Sequence, residues 1–342
     1  MEKALYGEKS LIEPSGSTYL ITGGSGFIGS HLTDALLARG DSVIVLDNMS
    51  TGRPGNLAHH AADPRLRVIQ GSVLDHLVVD DLVHQCDVVV HLAAAVGVKL
   101  IVEHPLRSLI TNIRGSEIVM EAAHRYRRKI LVASTSEIYG KNSSGPLSEE
   151  SERILGSPEV VRWAYSTAKA VDEILANAYH RERGLETIVV RLFNTVGPRQ
   201  SPAYGMVIPR LVRQAVAGIP LTVCGDGTQT RCFVHVRDVV RALVQLLDSD
   251  GAIGQTFNIG SGEEVSILEL AKLIIELAGS TSGVDLVPYA EAYGTGFEDM
   301  ARRVPDTTKL RELTGWTPQR SLDDILAETI AEARAEPATF LR

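Results

Sequence analysis

Tyr165 and Lys169 stand four residues apart in the stretch Tyr165-Ser166-Thr167-Ala168-Lys169. On a helix this spacing puts both side chains on one face. An ammonium close to a phenol favours the phenolate and draws the phenol pKa below its ordinary value of about 10. The pair is then a general base able to take a proton from an alcohol near neutral pH. Upstream lies Thr135-Ser136-Glu137, directly after the apolar run Ile130-Leu131-Val132-Ala133. Tyr-x-x-x-Lys alone is a common accident of helices, so its meaning depends on the chain that delivers it.

That chain opens with a dinucleotide-binding pattern. Thr18-Tyr19-Leu20-Ile21-Thr22 reads as a buried strand, and Gly23-Gly24-Ser25-Gly26-Phe27-Ile28-Gly29 as a turn into a helix over Ser30–Arg39. Ser42–Leu46 is the next strand and ends at Asp47-Asn48. Strand, glycine turn, helix, strand and acid make a βαβ unit for a dinucleotide. Gly23, Gly26 and Gly29 let the backbone approach a pyrophosphate at the helix N-terminus, where free N–H groups favour anions. Asp47 suits the ribose hydroxyls of adenosine and repels a 2′-phosphate, so NAD is expected rather than NADP. The spacing is Gly-x-x-Gly-x-x-Gly, not the commoner Gly-x-Gly-x-x-Gly.

The alternation continues through strands at Leu66–Gln70, Val88–Leu92, Ile130–Ala133 and Thr187–Leu192, with long helices at Leu106–Arg127 and Ala164–Arg183. Strands alternating with helices imply an α/β, Rossmann-like, doubly wound parallel sheet whose ligands sit at the carboxyl ends of the strands. The glycine loop and Thr135–Glu137 both fall there. After Asn194 the pattern changes to short strands (Leu221–Cys224, Cys232–His235, Gln255–Ile259) and helices at Val207–Gly218, Ser266–Leu277 and Leu322–Glu336. The expected division is a polar extension at 1–16, an NAD-binding domain at 17–193 and a smaller mixed α/β substrate lobe at 194–342, with segments interleaved. Gly294–Arg303 is polar and glycine-punctuated, a loop expected over the site.

The rest of the composition sets limits. A chain of 342 residues, 44% hydrophobic and 22% charged, can bury a large core. No apolar run approaches the roughly 20 residues of a membrane span. The first residues lack a signal peptide's apolar stretch. A net charge of −8 argues against a nucleic-acid surface. Cys86, Cys224 and Cys232 are widely spaced and in no metal-ligand pattern, so buried thiols in a reducing cytoplasm are expected and no metal site. His91 and His235 read as structural.

Together the motifs resemble the extended short-chain dehydrogenases that modify nucleotide sugars. They are the glycine loop, His91-Leu92-Ala93-Ala94, Ser134-Thr135-Ser136-Glu137-Ile138-Tyr139-Gly140, the Tyr165–Lys169 helix, Arg191-Leu192-Phe193-Asn194 with Gly197-Pro198-Arg199, and Gly315-Trp316-Thr317-Pro318. The resemblance covers nearly the whole chain. It implies bound NAD and oxidation of the sugar at carbon 4, with Tyr165 as base, Lys169 as its modulator and Thr135 as hydrogen-bonding partner. It places Phe27, Ile28, Asn48, Ser72, Val73, Leu92, Ala93 and Ala94 with the glycines and Asp47 around the cofactor. Ser72 stands where relatives often carry Asp. Ser136, Asn194, Arg199, Arg231 and the backbone near Val223 fall to the nucleotide sugar.

Thr135-Ser136-Glu137, Arg162-Trp163-Ala164-Tyr165 and the stretch Ala292–Asp299 with Arg302-Arg303 look most like UDP-glucuronate decarboxylases. In that resemblance Glu137 and Arg303 sit at the reaction centre. Oxidation at carbon 4 makes a β-keto acid, and loss of carbon dioxide leaves an enolate that needs charge stabilisation and a proton. Glu137 would steer the carboxylate or supply the proton. Arg303 would hold the carboxylate or, alternatively, the diphosphate, since a guanidinium suits planar oxyanions. A 4-epimerase and, behind it, a 4,6-dehydratase are the other activities in view; a catalytically dead NAD-binding scaffold is disfavoured by the intact Thr135, Tyr165 and Lys169. The helices Leu106–Arg127 and Ala164–Arg183 match those that pair in a homodimer.

Overall fold

The computed structural model describes residues 16–97, 103–201, 206–293, 300 and 302–335. A seven-stranded sheet organises it: β1 (Thr18–Thr22), β2 (Ser42–Asp47), β3 (Leu66–Gln70), β4 (Val88–His91), β5 (Lys129–Thr135), β6 (Thr187–Leu192) and β11 (Gln255–Ile259) lie in the order β11-β6-β5-β4-β1-β2-β3. Every pairing is parallel. The order reverses between β1 and β4, which opens a crevice at their carboxyl ends.

The inner strands are largely apolar because both faces are covered, while the edge strands β3 and β11 keep polar and exposed positions. Tyr19, Ile21, Val43 and Val45 pack with Leu32 and Leu36 of the helix Phe27–Arg39. Leu20, Ile44, Leu46 and Val89 point the other way, against Leu82 of the helix His76–His84 and Met120 of the helix Gly115–Tyr126. One residue of alternation thus sorts each strand between two cores.

Three features differ from expectation. The helix over Leu106–Arg127 is interrupted: Pro105–Leu109 passes through a π turn, Ile110–Arg114, into Gly115–Tyr126, and stops at Arg127 with φ 53°. Within the π turn Asn112 is buried, and its amide pairs with both backbone groups of Ala95, at 2.7 and 3.3 Å. Such insertions recur near functional sites. Second, β11 pairs with β6 and completes the main sheet. The chain returns there through the helix Val236–Leu247, whose Val239 and Leu243 share the core of the helix Phe27–Arg39. Third, the expected strand Cys232–His235 is two: β9 (Thr230–Cys232) pairs antiparallel with β12 (Glu264–Ser266), and β10 (Val234–His235) pairs parallel with β7 (Thr195–Val196).

The remaining elements gather on a third core. β8 (Leu221–Cys224) pairs with β13 (Val284–Val287), and the helices Val207–Val216, Ile267–Leu277 and Leu322–Ala335 pack around Leu211, Leu270 and Ile325. Ser266 caps the second of these helices and Glu269 reaches back, a reciprocal box that fixes its start. Trp316 is buried and donates its indole N–H to Asp238 O at 2.9 Å, tying the C-terminal part to the helix Val236–Leu247. Among the described residues no helix is long and apolar enough to cross a membrane.

Candidate active site

A cavity of about 920 Å³ opens at the switch point, between the main sheet and the elements of the third core. At one end lies the glycine turn. Gly23 holds φ 74°, and a Cβ there would stand 2.9 Å from the backbone N of Ala93; a Cβ on Gly29 would run into Gly23 O. Gly26 is the N-cap of the helix Phe27–Arg39 and offers no side chain to its first N–H groups. They are left for an anion. Asp47 ends β2, accepting from Ser25 N at 3.0 Å and Met49 N at 2.8 Å. Burial pushes its carboxyl up, against those two backbone donors. Each oxygen keeps a lone pair for a ribose hydroxyl. Phe27, Ile28, Asn48, Ser72, Val73, Leu92, Ala93 and Ala94 line the same cavity. Ser72 Oγ accepts from Leu74 N, so its O–H remains a donor. The cradle fits a dinucleotide with unphosphorylated ribose.

Deeper in, Tyr165 and Lys169 are both buried and both line the cavity. The lysine does not act on the phenol alone. Its Nζ donates to Asp172 Oδ2 at 2.9 Å. Burial pushes the Tyr165 phenol up, and Glu137 and Asp172 push it further the same way. The expected downward pull of Lys169 is thus offset by a carboxylate that its position in the sequence did not reveal as a partner. Thr135 closes β5 and its hydroxyl oxygen caps the following turn, accepting from Glu137 N at 3.2 Å. Its O–H is left as a donor. Ser136 is buried at the cavity wall.

Glu137 is clamped. Arg162 donates to it twice, Nη1 to Oε2 at 2.5 Å and Nη2 to Oε1 at 3.0 Å. Arg303 Nη1 stands 3.7 Å from Oε1. Burial alone would raise the carboxyl, but Arg162 first, then Arg303 and Arg231, hold it below its ordinary range. Of the two roles expected for Glu137, this clamp fits the charge partner that steers a carboxylate better than the proton donor. Arg162 is the residue that sequence reasoning passed over as a site. Its signal was available: it lies one turn before Tyr165, in the turn Val161–Trp163 that leads into the same helix.

Arg303 also donates Nη2 to Asn194 Oδ1 at 2.7 Å, and Asn194 Nδ2 donates to Cys232 O. Arg231 is buried at the cavity, with Nη1 on its neighbour Thr230 O at 2.8 Å. Arg302 turns away to Glu264. Arg199 reaches the cavity wall, yet its Nη2 is held at 2.9 Å by Asp34. Val223 is not at the wall: β8 turns it into the third core, and Cys224 lines the cavity instead. Within the loop expected over the site, 294–299 and 301 lie outside the described residues, while Met300 is buried beside Arg303.

His91 and His235 are both held by hydrogen bonds within the framework. His91 bridges Thr22 Oγ1 at 2.7 Å and Ser116 Oγ at 3.1 Å, and burial and Lys169 lower it to about 3. His235 Nδ1 caps the helix Val236–Leu247 by accepting from Arg237 N. All three cysteines are buried, with Cys86 and Cys232 pushed up to about 12 by burial. One group unforeseen in the sequence, Asp34 with His59 and His60, brings three ligand-type atoms within 4.8 Å of one another. Both imidazoles meet Asp34 Oδ1 while Oδ2 neutralises Arg199, so hydrogen bonds and an ion pair account for the cluster.

Comparison with known proteins agrees with this geometry. Residues 19–260 match the model of the NAD dependent epimerase/dehydratase family. A UDP-N-acetyl-alpha-D-glucosaminuronate decarboxylase of Bacillus cytotoxicus is 41% identical over 91% of this chain and 96% of its own. UDP-glucuronic acid decarboxylase 2 of Arabidopsis thaliana is 37% identical over 91% of this chain and 67% of its own. The crystal structure of a UDP-glucuronic acid 4-epimerase from Bacillus cereus, in complex with UDP-glucuronic acid and NAD, superposes with a TM-score of 0.84 at 29% identity, over 93% of this chain and 99% of that one. A glycine cradle at the β1–β4 crevice, a Tyr–Lys pair on the helix behind β5 and a match across most of the chain lead to one assignment: this is an enzyme of the NAD-dependent epimerase/dehydratase family.

Proposed function

We propose that the enzyme decarboxylates a UDP-hexuronate, UDP-glucuronate in the first place, after oxidation at carbon 4 of the sugar. The observation that carries this reading is the Glu137 carboxylate clamped by Arg162 and faced by Arg303 beside Tyr165. Moving a hydride off carbon 4 and back needs a base and a hydrogen-bond donor, which Tyr165 and Thr135 supply. A second anionic centre with two guanidinium groups exceeds that need, and it suits a substrate that itself carries a carboxylate.

In this reading Thr135 donates to the oxygen on carbon 4, and Tyr165 Oη takes its proton. NAD, when bound, accepts the hydride from carbon 4. The product is a β-keto acid; its carbon 5–carbon 6 bond breaks, carbon dioxide leaves, and the electron pair passes into an enolate on the carbon 4 oxygen. Tyr165, now protonated, and Thr135 stabilise that oxygen, and a proton delivered from solvent to carbon 5 collapses the enolate to the 4-keto pentose. Arg303, fixed between Glu137 and Asn194, holds the carboxylate until it leaves. Arg231 and the wall near Cys224 serve the diphosphate and base. Whether the 4-keto pentose is released or reduced to UDP-xylose depends on how long the reduced cofactor is retained.

A second reading keeps the reaction and changes the sugar: the 41% identical relative is named for the 2-acetamido uronate. Incubation with NAD and each of the two UDP-uronates, followed by mass spectrometry, tests both. Loss of the mass of carbon dioxide from one of them supports decarboxylation and names the sugar. Unchanged mass with a new carbon-4 epimer would replace the reading by 4-epimerisation.

The same proposal takes in a cofactor-binding part, 17–193 with β11 added to its sheet, and a nucleotide-sugar lobe around the third core. Homodimerisation through the helices Pro105–Leu109 and Ala164–Arg183 fits their exposed apolar residues, Leu106 at 70% and Ile174 at 64% exposure. Three buried thiols fit a reducing cytoplasm.

A further inference from the structure

Lys169 is the group expected to tune Tyr165, and it is not alone. Asp172 lies one turn further along the same helix, with its side chain fully buried and the lysine side chain only 2% exposed. The distance from Nζ to Oδ2 is 2.9 Å. Its other oxygen, Oδ1, meets no donor at hydrogen-bonding geometry. Burying a carboxylate with one oxygen unserved is costly unless a positive charge lies beside it, and here that charge is Lys169.

We propose that the buried Asp172 carboxylate is a positioning residue for the Tyr165–Lys169 pair, fixing the lysine ammonium and offsetting the positive charge that would otherwise act on the phenol. It deepens the decarboxylase reading and rests on it only for the substrate used in the kinetic test.

The neighbouring charges support the assignment. On its own helix Asp172 adjoins Glu173, whose carboxylate is already engaged by Ser134 and Arg191, so Glu173 has no call on the lysine. From β4 the nearest titratable group is His91, kept neutral by burial and joined to this region through Ser116. From the turn after β5 comes Glu137, occupied by Arg162. Lys169 and Asp172 are held to each other, and Asp172 also raises the phenol of Tyr165. Burial pushes Asp172 itself up, which Lys169 counters. The pair is nearly neutral as a unit, and a neutral unit pulls a phenol down far less than a bare ammonium does. The phenol then keeps its proton until the cofactor's own charge arrives, and an idle site does not hold a strong base.

Asp172→Asn keeps an oxygen that can accept from Lys169 and removes only the charge. In the NAD-loaded protein without substrate, the tyrosinate absorbance lost in Tyr165→Phe reports the ionisation of this one phenol. Its midpoint is expected to fall by about one pH unit in Asp172→Asn, a tenfold gain in phenolate below the midpoint. With UDP-glucuronate, the acid limb of the kcat/KM profile, where the base must lose its proton, should move down by the same amount and KM should hold. Asp172→Thr, smaller and also neutral, carries the same expectation if the Asn variant does not fold. An unshifted midpoint in either folded variant overturns the proposal. So does a wild-type acid limb with its midpoint at or below about pH 6, which would show the full effect of an uncompensated lysine. A wild type that shows the tyrosinate shift but leaves both UDP-uronates untouched would instead sink the substrate reading and leave Asp172 in its role.

Discussion

Arg162 grips Glu137 with both arms of its guanidinium, 2.5 Å from one carboxylate oxygen and 3.0 Å from the other. Both side chains are largely buried, 5% and 16% exposed. Removing one partner of such a pair leaves an uncompensated charge, a loss of about 3–5 kcal/mol in buried settings. Arg162→Met should therefore lower the melting temperature and cut decarboxylation by about two orders of magnitude. The pH dependence has a definite sign. The folded pKa of Glu137 is depressed, so its contribution to stability is present above the ordinary carboxylate value and lost as pH falls through the lower, folded value. In Arg162→Met the depression is relieved while burial still raises the carboxyl, so this acid loss should shrink, visible as a melting temperature that falls less on acidification than in wild type. Identical acid responses would show that the ion pair does not hold the carboxylate down.

His31 also costs the fold stability in acid, through burial rather than through an ion pair. It is buried on the helix Phe27–Arg39, its Nε2 2.9 Å from Pro198 O, and burial lowers it to about 4. The unfolded chain binds a proton there below about pH 6.5 and the folded protein does not, so stability falls between about pH 6.5 and 4 and levels off below. The full drop amounts to about 3 kcal/mol. His31→Gln, which keeps a donor for Pro198 O, should flatten this part of the stability profile measured by thermal melts. A profile as steep as wild type would assign the acid sensitivity elsewhere.

How far the sequence led can be argued from single residues. Gly23, Gly29, Asp47, Thr135, Tyr165 and Lys169 were legible because each belongs to a local pattern that a strand end or a helical turn converts directly into geometry. Arg303 came from resemblance, and the structure sets it against Glu137 and Asn194. Asp172 was hidden in plain view: it lies in the motif helix, but only burial makes a carboxylate there consequential. The π turn escaped because helical periodicity averages over one inserted residue. β11 was placed with the later elements because a five-residue strand of mixed polarity carries nothing that names the sheet edge it will join.

The glycine cradle makes a prediction about cofactor rather than chemistry. Gly23→Ala would force a side chain onto the left-handed backbone at φ 74° and press its Cβ to within 2.9 Å of Ala93 N. The turn must shift, and NAD affinity measured by calorimetry should fall by at least about tenfold, a change of ~1.4 kcal/mol. Because the strain sits at the mouth of the crevice, the core sheet should stay folded, with a far-UV spectrum like wild type. NAD bound as tightly as before would place the cofactor elsewhere.

Dimerisation can be tested on the exposed apolar residues alone. Ile174 faces outward from the middle of the helix Ala164–Arg183, on the side away from buried Tyr165 and Lys169. Ile174→Glu puts a charge into the proposed interface while leaving the site intact. Light scattering should give a dimer for wild type and a monomer for the variant. A wild type that stays monomeric at micromolar concentration removes the homodimer from the proposal.

Glu137→Gln separates oxidation at carbon 4 from the loss of carbon dioxide. The amide keeps the shape of the carboxylate and one acceptor oxygen, but it no longer balances Arg162 and Arg303, which stand at 2.5–3.0 Å and 3.7 Å. Hydride removal from carbon 4 depends on Tyr165 and Thr135, neither of which is altered. Decarboxylation depends on Arg303 keeping its place and on releasing the substrate carboxylate as carbon dioxide. With Glu137 neutral, two guanidinium charges remain to hold that carboxylate in its ionised, unreacted form, and the step should slow by about 100-fold, or ~2.7 kcal/mol at the barrier. The expected signature is a variant that forms reduced cofactor absorbance on addition of UDP-glucuronate yet releases carbon dioxide slowly, with the unreacted 4-keto uronate accumulating on the protein. If oxidation and decarboxylation fall together by the same factor, Glu137 serves carbon 4 itself, and the assignment of the charged cluster to the carboxylate has to be given up.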